Sequence, residues 1–187
     1  MISTDKQALR RAIRARFPGQ LERDRESALI CRHVAGWEVY RQARVIGGYV
    51  PLPREADVMP LLADALASGK TLLLPRVEDE HRMTLRRMDR LDGLVTGRWG
   101  LLEPPEDAEV VPAFEAELLL VPLEGVDRSG TRLGKGGGYY DALLRGAAVT
   151  KLGVALSWQW ADRLPRDQWD QPLDAVADRD GIHAFNG

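Results

Sequence analysis

The sequence predicts an α/β fold. We expect a three-layer sandwich with a mostly parallel central sheet flanked by helices, Rossmann-like in layout. Short apolar runs alternate with longer stretches whose apolar residues recur at helical spacing, the trace that strand–helix–strand units leave in a chain. The 187 residues suffice for one well-formed core and are marginal for two, so residues 1–187 are expected to form a single domain. No internal repeat or low-complexity tract interrupts the pattern.

The elements follow in order. Thr4 with Gln7 reads as a capping box that opens a helix. Leu9, Ala12, Ile13 and Phe17 continue it, and Pro18-Gly19 stops it. Lys6, Arg10, Arg14 and Arg11 fall on its other faces, where charge patterning leaves open whether they form only a solvated basic face. A second helix spans Leu21 to about Tyr40, with Ala28, Cys31, Val34 and Trp37 along one stripe. Arg44–Val50 is a buried strand ended by Pro51 and Pro53. Asp57 caps a helix carrying Val58, Leu61, Leu62, Ala65 and Leu66, and Gly69 closes it. Thr71–Leu74 is the next strand, ending at Pro75, and Met83–Met88 an edge strand. Leu118–Val121, Leu152–Leu156 and Ala175–Ala177 complete the strands, and Tyr139–Arg145 is a further helix. Arg90–Ala116, rich in proline, glycine and polar residues, is the longest irregular stretch and reads as a functional flap.

Composition narrows the function. A net charge of −2 gives no sign of bulk nucleic-acid binding, and the local cations near Arg132 and Lys135 matter more than the total. No apolar stretch approaches the roughly 20 residues that cross a bilayer, and the N-terminal segment lacks the apolar centre of a secretory signal. The single cysteine, Cys31, allows no intrachain disulfide and reads as a packed core residue. A cytoplasmic location is the expectation. His33, His81 and His183 lack metal-ligand spacing, and no Gly-x-Ser-x-Gly elbow is present.

The chemistry concentrates between Val121 and Leu144. Gly134, Gly136, Gly137 and Gly138 lie there with Arg132, Lys135, Tyr139, Tyr140 and Asp141. A strand, a glycine-rich turn and a helix start can cradle a phosphate, because glycines admit close approach of backbone N–H groups and the cations complete the neutralisation. A tight connection is the plainer alternative. The P-loop template fails, because Ser129 stands at its first glycine and Gly136 at its Ser/Thr. The dinucleotide template also fails, because its third glycine falls at Tyr139. Asp141 can hold Mg²⁺ against phosphates or simply favour a helix N-terminus. Ligands in open α/β sheets sit beyond the carboxyl ends of strands, where Glu55, Arg76, this loop and Trp158 are all expected.

The string DRSGTRLGKGGGYYD, Asp127 to Asp141, resembles the signature of the 5-formyltetrahydrofolate cyclo-ligase (methenyltetrahydrofolate synthetase) family, D-x-x-G-x-R-L-G-x-G-x-G-Y-Y-D. Lys6, Leu9 and Arg10 are similar to an N-terminal K-x-x-L-R, and PLPREAD (Pro51–Asp57) to a segment with a folate-contacting Glu. Trp99, Gly100, Leu101, Glu103 and Pro104 resemble W-G-I-x-E-P, and Asp170 with Asp174 a C-terminal D-x-x-x-D.

The resemblance implies a ligase that forms a C–N bond, converting 5-formyltetrahydrofolate to 5,10-methenyltetrahydrofolate with ATP as co-substrate and Mg²⁺ as cofactor. It implies ATP contacts from Lys6, Arg10, Arg132, Leu133, Gly134, Lys135, Gly136, Gly137, Gly138, Tyr139 and Tyr140, with Arg132 and Lys135 catalytic. Val50, Glu55, Trp99 and Tyr139 are implied for the folate, and Asp141 and Asp170 for the metal. The expected partners are small molecules only, with no nucleic acid and no membrane, and a monomer is expected. A small-molecule kinase and a non-catalytic nucleotide- or folate-binding relative are the alternatives.

Overall fold

A computed structural model describes residues 2–80 and 82–185, and the side chains among them from residue 5 onward. Helix α1 (Ile2–Arg14) is followed by α2 (Gln20–Gly36) and α3 (Glu38–Gln42), strand β1 (Val45–Gly47), helix α4 (Met59–Ala67) and strands β2 (Thr71–Val77) and β3 (Met83–Met88). A small hairpin, β4 (Val95–Thr96) and β5 (Leu102–Glu103), precedes β6 (Val110–Val111). Then come β7 (Leu118–Val121), the hairpin β8 (Gly125–Val126) and β9 (Arg132–Leu133), helix α5 (Tyr139–Leu144), and strands β10 (Thr150–Val154), β11 (Ala175–Asp178) and β12 (Gly181–Ala184).

Eight strands form one sheet in the order β12-β11-β10-β7-β1-β2-β3-β6. The run β11-β10-β7-β1-β2 is parallel, and β12, β3 and β6 join antiparallel at the margins. This is the expected α/β sandwich. Period-two alternation sends successive strand residues to opposite faces. Leu72, Leu74, Leu118, Leu120, Leu152 and Val154 pack with Ile30, Val34, Tyr40, Leu61 and Leu62 from α2, α3 and α4. Leu73, Leu119, Val121 and Val176 face the other way, onto Leu123, Val126, Leu144 and Val149. Helix α1 packs through Ile13 against Leu133 and Leu164, which lays it beside the signature segment.

Several boundaries differ from the sequence reading. Helix α1 already includes Thr4, so Thr4 is not its cap; the Thr4 side chain lies outside the described residues, as does His81. The helix ends at Arg14, before Phe17, whose ring meets Trp158 edge-on at 5.4 Å. The second helix is two, because Trp37 is extended (φ −76°, ψ 130°) and packs half-buried on the core. Asp57 stands one residue outside the α4 cap position yet accepts the Met59 N–H at 3.0 Å. Gly69 (φ 74°) closes α4 as expected, with Gly69 N–H on Leu66 O and Lys70 N–H on Ala65 O.

Strand β2 runs past Pro75 to Val77. The Thr71 N–H points to Arg44 O on the β1 side, so by the period of two the nitrogen of Pro75 faces that side also. There β1 has ended, its last partner being Leu73, and no N–H is required. Strand β3 is not an edge, because β6 pairs outside it. The flap region is only partly irregular: it holds the β4–β5 hairpin, β6 and three single-turn 3₁₀ segments.

Candidate active site

A cleft of about 1560 Å³ opens where the parallel strands end at their carboxyl termini. One wall is α1, contributing Lys6, Gln7, Arg10, Arg11 and Arg14; the floor is residues 132–141; the flap contributes residues 99–103 and the β1–α4 loop Tyr49–Leu52 with Glu55. Every residue expected to contact ATP, folate or metal lines this one space. Arg76 and Trp158 do not: Arg76 lies beneath the flap and Trp158 packs in the core.

The signature segment begins with a turn organised by Asp127. Its Oδ1 accepts the Ser129 N–H (2.9 Å), the Ser129 hydroxyl (2.6 Å) and the Thr131 N–H (3.2 Å), while Oδ2 accepts the Leu164 N–H (2.8 Å). The first signature acid is therefore a scaffold for the β8–β9 hairpin, which delivers Arg132 and Leu133. Gly136 (φ 109°) and Gly138 (φ 70°) adopt backbone that L side chains rarely populate. Gly138 N-caps α5, whose six residues give it little dipole. Among the described residues, the backbone N–H groups of 134–138 donate to no protein acceptor, so a run of amides is free beside the cations.

The cations are fixed differently. Arg10 Nε donates to Gly134 O at 2.7 Å and braces the loop from α1. Burial, the largest influence on it, draws its pKa below the usual arginine value, yet a guanidinium remains charged. Arg14 grips Glu124 with two hydrogen bonds of 2.9 and 2.8 Å. Arg132, 7% exposed, pairs with Asp141 at 2.9 Å and lies 5.8 Å over the Tyr140 ring. Its Nε has no partner among the described residues.

Lys6 Nζ meets Asp170 at 2.6 Å and Asp167 at 2.8 Å. Burial works to lower the Lys6 pKa, but these two carboxylates outweigh it and hold the ammonium above its ordinary value. Lys135 Nζ lies 2.5 Å from Glu55 Oε1.

Glu55 is 6% exposed. Its Oε2 accepts the Leu52 N–H at 2.8 Å, and Arg23 Nε holds its carbonyl at 2.7 Å. Oε1 has no properly oriented hydrogen bond among the described residues despite the nearby Lys135. Tyr140 is the inward tyrosine: burial above all, then the Glu55 charge, raises its phenol pKa. Tyr139 faces the cleft, 6.3 Å from Trp99. Trp99 is 66% exposed at φ 55°, the non-glycine residue with positive φ among those described. Holding a tryptophan there is strained by roughly 1–3 kcal/mol, a feature concentrated at ligand clamps.

Residues 2–178 match the 5-formyltetrahydrofolate cyclo-ligase family. The chain belongs to this family. A 5-formyltetrahydrofolate cyclo-ligase of Mycolicibacterium smegmatis is 34% identical over 142 residues, covering 71% of this chain and 72% of that protein. One from Haemophilus influenzae is 28% identical over 169 residues, covering 87% and 90%. The NMR structure of Aquifex aeolicus 5,10-methenyltetrahydrofolate synthetase superposes with a TM-score of 0.87 at 32% identity, covering 97% of this chain and 93% of that one.

Within this cyclo-ligase family member, Asp141 and Asp170 both line the main cleft and a smaller recess of about 450 Å³ beside Gly138, Arg145 and Trp169. Asp141 Oδ1 takes Arg132 and the Gln171 N–H (3.0 Å); Asp170 Oδ2 takes Lys6 and the Asp167 N–H (2.8 Å). The second oxygen of each carboxylate has no hydrogen-bond partner among the described residues. No group of three or more His, Cys, Asp or Glu side chains there could enclose a metal ion. Two part-free carboxylates suit an ion that completes its shell with phosphate oxygens and water, as Mg²⁺ does. Asp174 instead takes Lys151, through its N–H (2.7 Å) and Nζ (3.1 Å).

Sequence reasoning missed Asp167 and Gln171, and it named Glu103 only within the W-G-I-x-E-P resemblance, whereas the structure pairs it with Arg76 at 3.1 Å. Asp167 enters the site through its bond to Lys6, 161 residues away, a separation that leaves no local signal. Gln171 contributes a backbone N–H and left none. Among the described residues no helix is long and apolar enough to cross a membrane.

Proposed function

We propose that this chain catalyses the ATP- and Mg²⁺-dependent conversion of 5-formyltetrahydrofolate to 5,10-methenyltetrahydrofolate, releasing ADP and phosphate. One observation carries the reading: a glycine loop with free amides, the cations Lys6, Arg10, Arg132 and Lys135, and the buried carboxylate of Glu55 open onto one cleft. Its volume of about 1560 Å³ exceeds the ~300–1,000 Å³ of sites for single small ligands, which suits two substrates side by side. Family membership supports the same chemistry.

The N5 formyl group is amide-like and a poor electrophile. Its oxygen attacks the γ-phosphorus of ATP, ADP leaves, and the formyl carbon becomes an activated imidate phosphate. N10 then adds to that carbon and loses its proton. The C–O bond breaks, phosphate departs with the former formyl oxygen, and the methenyl cation remains. No protein nucleophile takes part, so the chain acts by positioning and by meeting charge.

In this reading Lys6, Arg10, Arg132 and Lys135 neutralise the polyphosphate over the amides of residues 134–138. Arg132 and Lys135 serve the transferring phosphoryl group. Asp141 and Asp170 would hold Mg²⁺, which would supply positive charge against the phosphate oxygens. Glu55 accepts N–H groups from the pterin edge, while Val50, Trp99 and Tyr139 enclose the ring. The test is the appearance of methenyltetrahydrofolate absorbance with ATP, Mg²⁺ and 5-formyltetrahydrofolate, omitting each in turn. Product that requires all three supports the reading. ADP formed only with another acceptor would make the chain a kinase, and tight binding without turnover would make it a binding protein.

A further inference from the structure

The two residues assigned to different substrates are bonded to each other. Lys135, on the phosphate loop, and Glu55, on the folate side, form an ion pair of 2.5 Å across the cleft. We infer that this pair is a bolt that couples the two substrates, so that each binds more tightly when the other is present. The inference rests on the cyclo-ligase reading above.

The partners differ in mobility. Glu55 is anchored: its carbonyl is held by Arg23, its N–H donates to Leu52 O at 2.9 Å, and its Oε2 accepts the Leu52 N–H. Its side chain is 7% exposed, against 40% for Lys135, which stands on the glycine loop. The lysine is therefore the part that moves.

A polyphosphate arriving alone draws Lys135 away and leaves a buried carboxylate uncompensated, a costly state. A pterin arriving alone has to displace Lys135 from Oε1, the one Glu55 oxygen with no oriented donor. Each ligand alone thus breaks the same ion pair. Together they break it once, because the pterin N–H groups take over Glu55 while the phosphates take over Lys135. The saving is a coupling free energy, and it acts equally in both directions.

This arrangement makes expectations that simple contact roles do not. If Glu55 served the folate alone, Glu55→Gln would leave nucleotide affinity unchanged. With the bolt, Glu55→Gln releases Lys135 and tightens ATP while weakening folate. Lys135→Met weakens ATP yet leaves folate binding as tight as wild type or tighter.

Calorimetric titration with a β,γ-imido ATP analogue and Mg²⁺, with and without 5-formyltetrahydrofolate, reads all of these without turnover. In wild type the folate is expected to tighten the analogue about tenfold, inside the usual span of site–site coupling. The factor should fall toward one in Glu55→Gln and in Lys135→Met, with no further fall in the double variant. A wild-type factor of one, a factor unchanged in Glu55→Gln, or nucleotide binding not strengthened in Glu55→Gln would overturn the bolt while leaving the ligase reading intact. Wild-type protein that binds neither ligand would overturn both. Glu55→Gln is isosteric and keeps an acceptor for the Leu52 N–H; melting temperatures within a few degrees of wild type establish that the variants are folded.

Discussion

The two sides of the cleft are built by opposite means. The phosphate-loop side is polar and braced by charge: Asp127 organises its turn, Arg10 holds Gly134 O, and the Arg132–Asp141 pair sits beneath. The flap side presents Trp99, Leu101 and Leu102 to the cleft, and arginines fasten it at two roots. One root is Arg76, 3.1 Å from Glu103 and bonded to Pro104 O at 2.6 Å. The other is Arg86, which reaches Glu106 O (2.5 Å), Ala108 O (2.7 Å) and Glu78 (2.7 Å). A highly charged group needs partners already in place, since reorganising dipoles during reaction is costly. A flat ring needs area and a way in, which an exposed hairpin tip supplies.

The contrast breaks most severely at Arg132. Arg132→Ala removes a cation from the floor proposed to hold phosphate and leaves Asp141 without its ion-pair partner. We expect kcat/KM to fall by about 10³-fold, the scale of losing a preorganised group at developing charge. The urea midpoint should also drop, as breaking a buried pair costs about 3–5 kcal/mol. Arg132→Lys should recover little, since it loses the planar fork over Tyr140. Steady-state kinetics in which the loss falls only on folate KM would remove Arg132 from the phosphate side.

At the flap root the largest effect belongs to Glu103. It is 3% exposed, and its Oε1, with no oriented hydrogen bond among the described residues, lies 3.1 Å from Arg76. Glu103→Ala strands a buried guanidinium and is expected to destabilise by about 3 kcal/mol. Loosening the hairpin should raise folate KM about tenfold, with ATP KM within twofold of wild type, as expected when one substrate's uniform binding is lost. A larger change for ATP would show that the flap serves the nucleotide.

The same contrast explains what the sequence revealed. Continuous apolar runs such as Leu118–Val121 and Leu72–Leu74 are read directly, because burial on both faces of the sheet dictates them. The loop was legible because free amides require glycine and its cations stand beside them in the chain. Strand β12 was not: it pairs antiparallel to β11, and its His183 bonds Asp178 at 2.9 Å, a partly exposed edge with no apolar signature. Nor was the break at Trp37, where tertiary packing overrides a continuous helical pattern. The ion pairs Lys6–Asp167, Lys135–Glu55 and Arg76–Glu103 join distant segments, and spacing along the chain carries no information about them.

Trp99 tests the flap tip alone. Trp99→Gly removes the ring and relaxes the φ of 55°, so it is expected to melt no lower than wild type while folate KM rises several-fold. The scale is that of an aromatic contact, about 0.5–1.5 kcal/mol beyond burial. Trp99→Ala should lose the same affinity and melt lower than Trp99→Gly, because alanine keeps the left-handed strain. Equal melting of the two variants would mean that the backbone relaxes with the ring gone.

The smallest expected effect concerns acid, and it too should separate the two sides. Burial works to raise the Glu78 pKa, but bonds from Thr84 (2.5 Å) and Arg86 (2.7 Å) win and hold it below the ordinary 4.5. A depressed carboxylate contributes its stability in full above the unfolded value and loses it as pH falls through the folded one. The window therefore lies below about pH 4.5. There Glu78 takes up a proton, Arg86 keeps only the carbonyls of Glu106 and Ala108, and the flap root should loosen. Hydrogen exchange followed downward from pH 5 should show residues 106–111 losing protection before residues 132–138. In Glu78→Gln that early loss should be present already at pH 6 and no longer change with acid, at a stability cost below about 1 kcal/mol, as for partly solvated pairs. If the two segments instead lose protection together in wild type, the flap root is not an independent fastening and the two sides of the cleft open as one unit.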